Sequence, residues 1–188
     1  MTTFEEQKKK SAKPLLWISM ISMAMIFAGL TSAYVVRKAE GNWQDFEFPI
    51  WFYLSTLFII ISSFCMNWAK KSVKANDLEK AQKGFNYTII FGLLFALSQY
   101  LTWHALYKNE VYFTGPGSNA SGSFLYVLML VHILHLAGGL VALVITRYKA
   151  IKGVYSSENT LGVELCAIFW HFLDFLWLYL FLFLLFNH

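Results

Sequence analysis

Five long apolar runs separated by short polar stretches set the pattern of the chain: Leu15–Val36, Ile50–Ala69, Phe85–Leu106, Ser123–Thr146 and Val163–Phe186. Each has roughly the 20 residues a helix needs to cross a bilayer. None shows the apolar–polar alternation of a barrel strand, and a lipid-facing backbone must bond within its own segment. The pattern predicts an all-α membrane protein, a bundle of five transmembrane helices. Residues 1–14 read as a polar N-terminal tail and 15–188 as a single five-helix domain. The first run, about 22 residues, exceeds the ~7–15 of a signal-peptide core. It therefore reads as a retained helix, although Thr31-Ser32-Ala33 resembles a cleavage site.

Charge gives the bundle a direction. Lys8, Lys9, Lys10 and Lys13 precede the first run, Lys70, Lys71, Lys74, Lys80 and Lys83 follow the second, and Arg147, Lys149 and Lys152 follow the fourth. Arg37, Lys38 and Lys108 fall on the other side. Twelve against three predicts a cytoplasmic N-terminus and a periplasmic C-terminus. The segment AKKSVKANDLEKAQKGF, Ala69 to Phe85, reads as a hairpin that extends its two flanking helices, and TGPGSNASGS, Thr114 to Ser123, as a flexible connection.

Composition sharpens this picture. Hydrophobic residues make up 57% of the chain and charged ones 14%, against about 25% charged in soluble domains. No basic stripe suits nucleic acid. Cys65 and Cys166 lie inside apolar runs and read as buried small hydrophobes.

The polar residues inside the spans are the candidate site. On a helical wheel, Glu164, Trp170, His171, Asp174 and Trp177 of the fifth run share an arc of about 140°. The opposite side is Leu and Phe. A charged Asp174 at mid-span would cost on the order of 3 kcal/mol, so it must be protonated or hydrogen-bonded. The fourth run offers His132 and His135, with Gly139 beyond them, and Gly138-xxx-Ala142 suits close helix approach. The candidate partners of Asp174 are His171 three residues before it, an indole N–H and a histidine of another helix; an Asp174–histidine bond between the fourth and fifth helices is geometrically reasonable. Gln99 and His104 lie toward the end of the third run, and Ser19, Ser22, Gly29 and Ser32 form a small-residue stripe on the first. The hydroxyls of the second run, Ser55, Thr56, Ser62 and Ser63, read as ordinary packing residues.

Haem or copper ligation, a di-iron site and an autonomous proton path were weighed against interhelical polar contacts. His132 and His135 sit one turn apart on one helix and cannot both reach opposite faces of one haem. The spans carry two acids, Asp174 and Glu164, and no broken helix pair of the transporter kind. The reading is one of interhelical and lipid-headgroup contacts, with no catalytic or metal-ligating set.

Three stretches carry a family resemblance. WHFLDFLWLYLF, Trp170 to Phe181, resembles the last-helix signature of subunit III of haem-copper terminal oxidases, the cytochrome c oxidases. VHILHLAGG, ending at Gly139, looks like the family's preceding histidine-bearing helix, and ISMAMIFAGLTSAY, Ile21 to Tyr34, is similar to its helix with an F-A-G core. The chain resembles the short five-helix bacterial form; many members have two further N-terminal helices that form one wall of a lipid-filled cleft. Where the family commonly has a buried glutamate, this chain has Met23, so no role of that carboxylate carries over. The resemblance implies a non-redox subunit that binds no cofactor itself. It would pack on subunit I beside subunit II, whose chains carry haem and copper, hold phospholipid and support proton uptake. It also implies the bacterial inner membrane and allows a place in a respiratory supercomplex. The alternatives are an accessory subunit of a quinol oxidase or nitric oxide reductase, and an independent lipid-binding scaffold.

Overall fold

The computed structural model describes residues 4–41, 43–45, 47–157 and 159–187. Their regular structure is helical throughout: α1 Phe4–Ala39, α2 Ile50–Lys74, α3 Leu78–Lys108, α4 Ala120–Ile151 and α5 Leu161–Asn187. All five are long and apolar enough to span a membrane. Each of α2 to α5 packs on two others of that set, α2 on α3, α3 on α4, α4 on α5 and α5 back on α2, so these four close a ring. Helix α1 lies outside it against α4 and α5. Large apolar side chains such as Ile18, Phe64, Leu134 and Phe175 point outward, as they must where the surroundings are acyl chains.

The helices run past the apolar runs that predict them. Helix α1 starts within the expected tail and continues through Pro14, because the Glu-, Gln- and Lys-rich segment before it consists of good helix formers. The change at residue 14 is one of environment, with no break in the helix. Helices α2 and α3 likewise extend into the expected hairpin and meet at Ala75–Asp77. Asn76 takes the left-handed conformation at φ 56°, which asparagine tolerates. Asp77 then caps α3, its Oδ1 accepting from Lys80 N at 3.1 Å, and Lys80 holds its carboxyl below the usual range. The Asn76 amide bonds Ser157 twice, joining this turn to the α4–α5 connection.

Small residues decide how closely the helices approach. A Cβ on Gly84 would lie 2.8 Å from Ala69 Cβ and 2.9 Å from Ala69 backbone atoms, so α2 and α3 touch there. On α4 the close approach is at Gly139, where a Cβ would meet Leu173 at 2.8 Å. Gly138, expected to serve this purpose with Ala142, is open and exposed. The stripe Ser19, Ser22, Gly29 and Ser32 also faces outward, because α1 turns Met20, Phe27, Thr31 and Tyr34 to the bundle instead.

Gly84→Ala should therefore lower stability by about 1–3 kcal/mol, the usual cost of overpacking. Gly138→Ala should change it little. Thermal unfolding of both variants in detergent checks this, and equal midpoints would overturn the close α2–α3 contact.

Candidate functional site

The inward face of α5 carries Trp170, Asp174 and Trp177 at helical spacing, and all three are buried. An indole N–H can donate but not accept, and lipid offers it no water. Trp170 Nε1 donates to Ser62 Oγ at 3.1 Å and Trp177 Nε1 to Thr56 Oγ1 at 3.0 Å. Both acceptors lie on α2, which runs antiparallel to α5. Each hydroxyl passes the bond on: Ser62 donates to Thr88 O on α3 at 3.1 Å, and Thr56 to Phe52 O at 3.3 Å. The hydroxyls expected to be ordinary packing residues are thus the acceptors that hold α5 in the ring. The sequence signal was present as two donor-only rings seven apart on one helix facing hydroxyls six apart on an antiparallel one.

His171 also turns to α2. Its Nε2 lies 3.1 Å from Asn67 Oδ1 and its Nδ1 2.7 Å from Ser63 Oγ. Asn67 Oδ1 can only accept, so Nε2 carries the proton and Nδ1 accepts from the Ser63 hydroxyl. Asp174 Oδ2 lies 3.7 Å from His171 Nδ1, beyond hydrogen-bond reach, and both carboxyl oxygens are buried with no hydrogen-bond partner among the described residues.

The geometrically reasonable Asp174–histidine bond to α4 is not formed. His132 is buried with neither ring nitrogen bonded among the described residues. Its ring centroid lies 5.1 Å from Trp177, 5.8 Å from Phe95 and 6.3 Å from Phe27. His135 Nδ1 instead donates to Val131 O of its own helix at 2.7 Å. Helix α4 meets α5 closely at Gly139 and sets the His132 ring against Trp177, while the acceptors for the Trp170 and Trp177 indoles come from α2. Gln99 is buried, its amide unpartnered among the described residues, whereas His104 is exposed and lines a hollow at the lysine-poor end.

Glu164 forms a separate cluster at the lysine-rich end. Its carboxylate receives Lys13 Nζ of α1 at 2.8 Å and Lys74 Nζ of α2 at 3.1 Å. One acid in the first turn of α5, where the helix dipole also favours it, thus ties the end of α2 and the third turn of α1.

Among the described residues no three of His, Cys, Asp and Glu come together. The His132 ring packs among Phe27, Phe95 and Trp177. Cys65 and Cys166 are both free.

Thr56→Val leaves a buried indole N–H without its acceptor and should cost about 1 kcal/mol. In the Trp177→Phe background the same change should cost almost nothing. A double-mutant cycle by denaturant titration in detergent checks this; additive losses would overturn the bond.

The family model described as "Cytochrome c oxidase subunit III" matches residues 40–187. A probable cytochrome c oxidase subunit 3 of Mycobacterium bovis is 28% identical over 176 residues, covering 91% of this chain and 84% of the relative. A cytochrome c oxidase subunit 3 of Synechocystis is 29% identical over 169 residues, 87% of this chain and 70% of the relative. Subunit 3 of the cytochrome bo(3) ubiquinol oxidase of Buchnera aphidicola is 27% identical over 177 residues, 92% of this chain and 84% of the relative. With five spanning helices in place and the match extending from the end of α1 to the end of α5, the chain belongs to the cytochrome c oxidase subunit III family.

Proposed function

We propose that the chain is the non-redox subunit III of a proton-pumping cytochrome c oxidase. As a family member it is a multi-pass protein of the bacterial plasma membrane and part of an oxidoreductase complex. Beyond that, the reading gives it a packing role: it docks on subunit I beside subunit II, binds phospholipid, and supports sustained proton uptake by keeping the complex rigid. Haem and copper belong to those partner chains. The lysine-rich end is cytoplasmic, where anionic lipid meets Lys13, Lys70, Lys71, Lys74 and Lys149.

The observation that carries this reading is the joining of the family match to a bundle whose buried indoles on α5 bond hydroxyls of α2. Trp170, His171 and Trp177 fasten α5 to α2, and Glu164 fastens the lysine-rich ends. His132, His135, Gln99 and Asp174 fill the interior. Such a chain can order and brace a partner that performs the chemistry. A second reading, subunit III of a quinol oxidase, draws on the Buchnera relative, which matches almost as well as the others.

Purification through a tag on this chain in mild detergent, followed by mass spectrometry and a reduced-minus-oxidised spectrum, tests both. Copper, a-type haem and two larger subunits are expected; a b-type spectrum without a-type haem would favour the quinol oxidase, and a colourless chain purified alone would count against both. Asp174→Leu should lower the amount of assembled complex more than the activity per complex. Intact assembly with lost turnover would instead assign Asp174 a proton or substrate role.

A further inference from the structure

At the lysine-poor end, between α3, α4 and the connection joining them, lies a hollow of about 530 Å³. Its walls include Trp103, Tyr107, Tyr112, Phe113 and Tyr126, and no Lys, Arg, Asp or Glu lines it among the described residues. The rings stand at steep angles to one another. Tyr107 and Tyr112 are 5.3 Å apart at 78°, Phe113 and Tyr126 5.9 Å at 56°, and Trp103 and Tyr126 6.4 Å at 47°. Rings inclined in this way turn their faces in several directions along an open hollow, and aromatic faces attract a quaternary ammonium.

The walls are built and held. Glu110 turns the chain at φ 61°, and the Tyr126 hydroxyl donates to Val111 O at 3.0 Å and Trp103 O at 3.3 Å. Ser123 Oγ donates to Phe113 O at 2.7 Å. These bonds clamp the α3–α4 connection onto α4. A wholly apolar hollow of about 220 Å³ adjoins it, sharing Trp103, Phe113 and Tyr126 and reaching Leu130, one turn farther into the span. A polar head beside a chain-shaped apolar extension fits an amphiphile.

Charge selects the kind of head. The lysine-poor end offers Arg37, Lys38 and Lys108 against Glu40, Asp45, Glu47 and Glu110, whereas the opposite end is strongly basic. Apart from the His104 imidazole, an anionic headgroup finds no cationic side chain on these walls among the described residues; a quaternary ammonium needs none and gains from the ring faces.

We propose that this aromatic hollow binds one choline-type phospholipid, its quaternary ammonium among Tyr107, Tyr112, Phe113 and Tyr126 and an acyl chain along Leu130. The site is separate from the α2–α5 polar contacts and from the Glu164 cluster.

The test uses the full chain in phosphatidylglycerol nanodiscs containing increasing fractions of brominated phosphatidylcholine or brominated phosphatidylglycerol. Trp103→Phe isolates the Trp103 emission by difference. The choline lipid should quench that emission at a mole fraction at least tenfold lower than the glycerol lipid. Tyr107→Leu with Tyr112→Leu should abolish the preference, and Tyr107→Phe, which keeps the ring, should retain it. Tetramethylammonium should relieve the quenching by competing for the hollow. Equal dependence on the two lipids would overturn the proposal and leave an ordinary interfacial aromatic belt. Choline-selective quenching untouched by tetramethylammonium would overturn the headgroup assignment.

Discussion

A donor buried in a membrane has no solvent to fall back on. The Trp170 and Trp177 indoles are donor-only groups in the middle of the bundle, and everything about the α5 position follows from giving each an acceptor. A carboxylate would bring a charge. A hydroxyl solves the problem because it accepts from the indole while donating to a carbonyl of its own helix or the next. Through Ser62 the connection runs from α5 across α2 to Thr88 O on α3. Apolar packing alone does not distinguish helix neighbours from lipid tails; these directional bonds do. They fix the register of α5 against α2 and thereby close the ring.

Helix α1 is held by a different arrangement. It touches the bundle at three levels: Lys13 to Glu164 at one end, the Thr31 and Tyr179 hydroxyls 3.0 Å apart within the span, and Tyr34 and Lys38 to Asn187 O at the other. Between these points contact is made mainly by side chains such as Phe27, which packs against His132 and His135. Its remaining faces are open, and its small residues lie on them.

The architecture was largely legible because hydrophobic length and charge placement are properties of each segment alone. Five runs became five helices, and the charged segment after the second became the tight α2–α3 turn. The internal wiring was less legible because it depends on which helices are neighbours. The wheel put Trp170, His171, Asp174 and Trp177 on one side of α5, but it could not say that α2 lies opposite. Histidines on α4 looked like the better partners by chemistry, while modest hydroxyls on α2 were the partners in space. Gly138 and Gly139 show the same limit: adjacent residues point about 100° apart, and only one meets a neighbour. His104 lay in a polar cluster in the sequence yet sits outside the bundle, in the wall of the aromatic hollow.

The outboard placement of α1 bears on how the protein is made. Helix α1 is the first of the five to leave the ribosome, and its contacts are with α4 and α5, the last two. At ordinary rates of synthesis, on the order of ten seconds separate its completion from the emergence of α5. Until α4 is made, α1 has neither of its neighbours to rest against, whereas α2 and α3 can pair as soon as their short turn is complete. Assembly by this geometry is a closing of the chain's beginning onto its end. Lys13 and Lys38, near the two ends of α1, become latches that engage only after the final helix has entered the membrane.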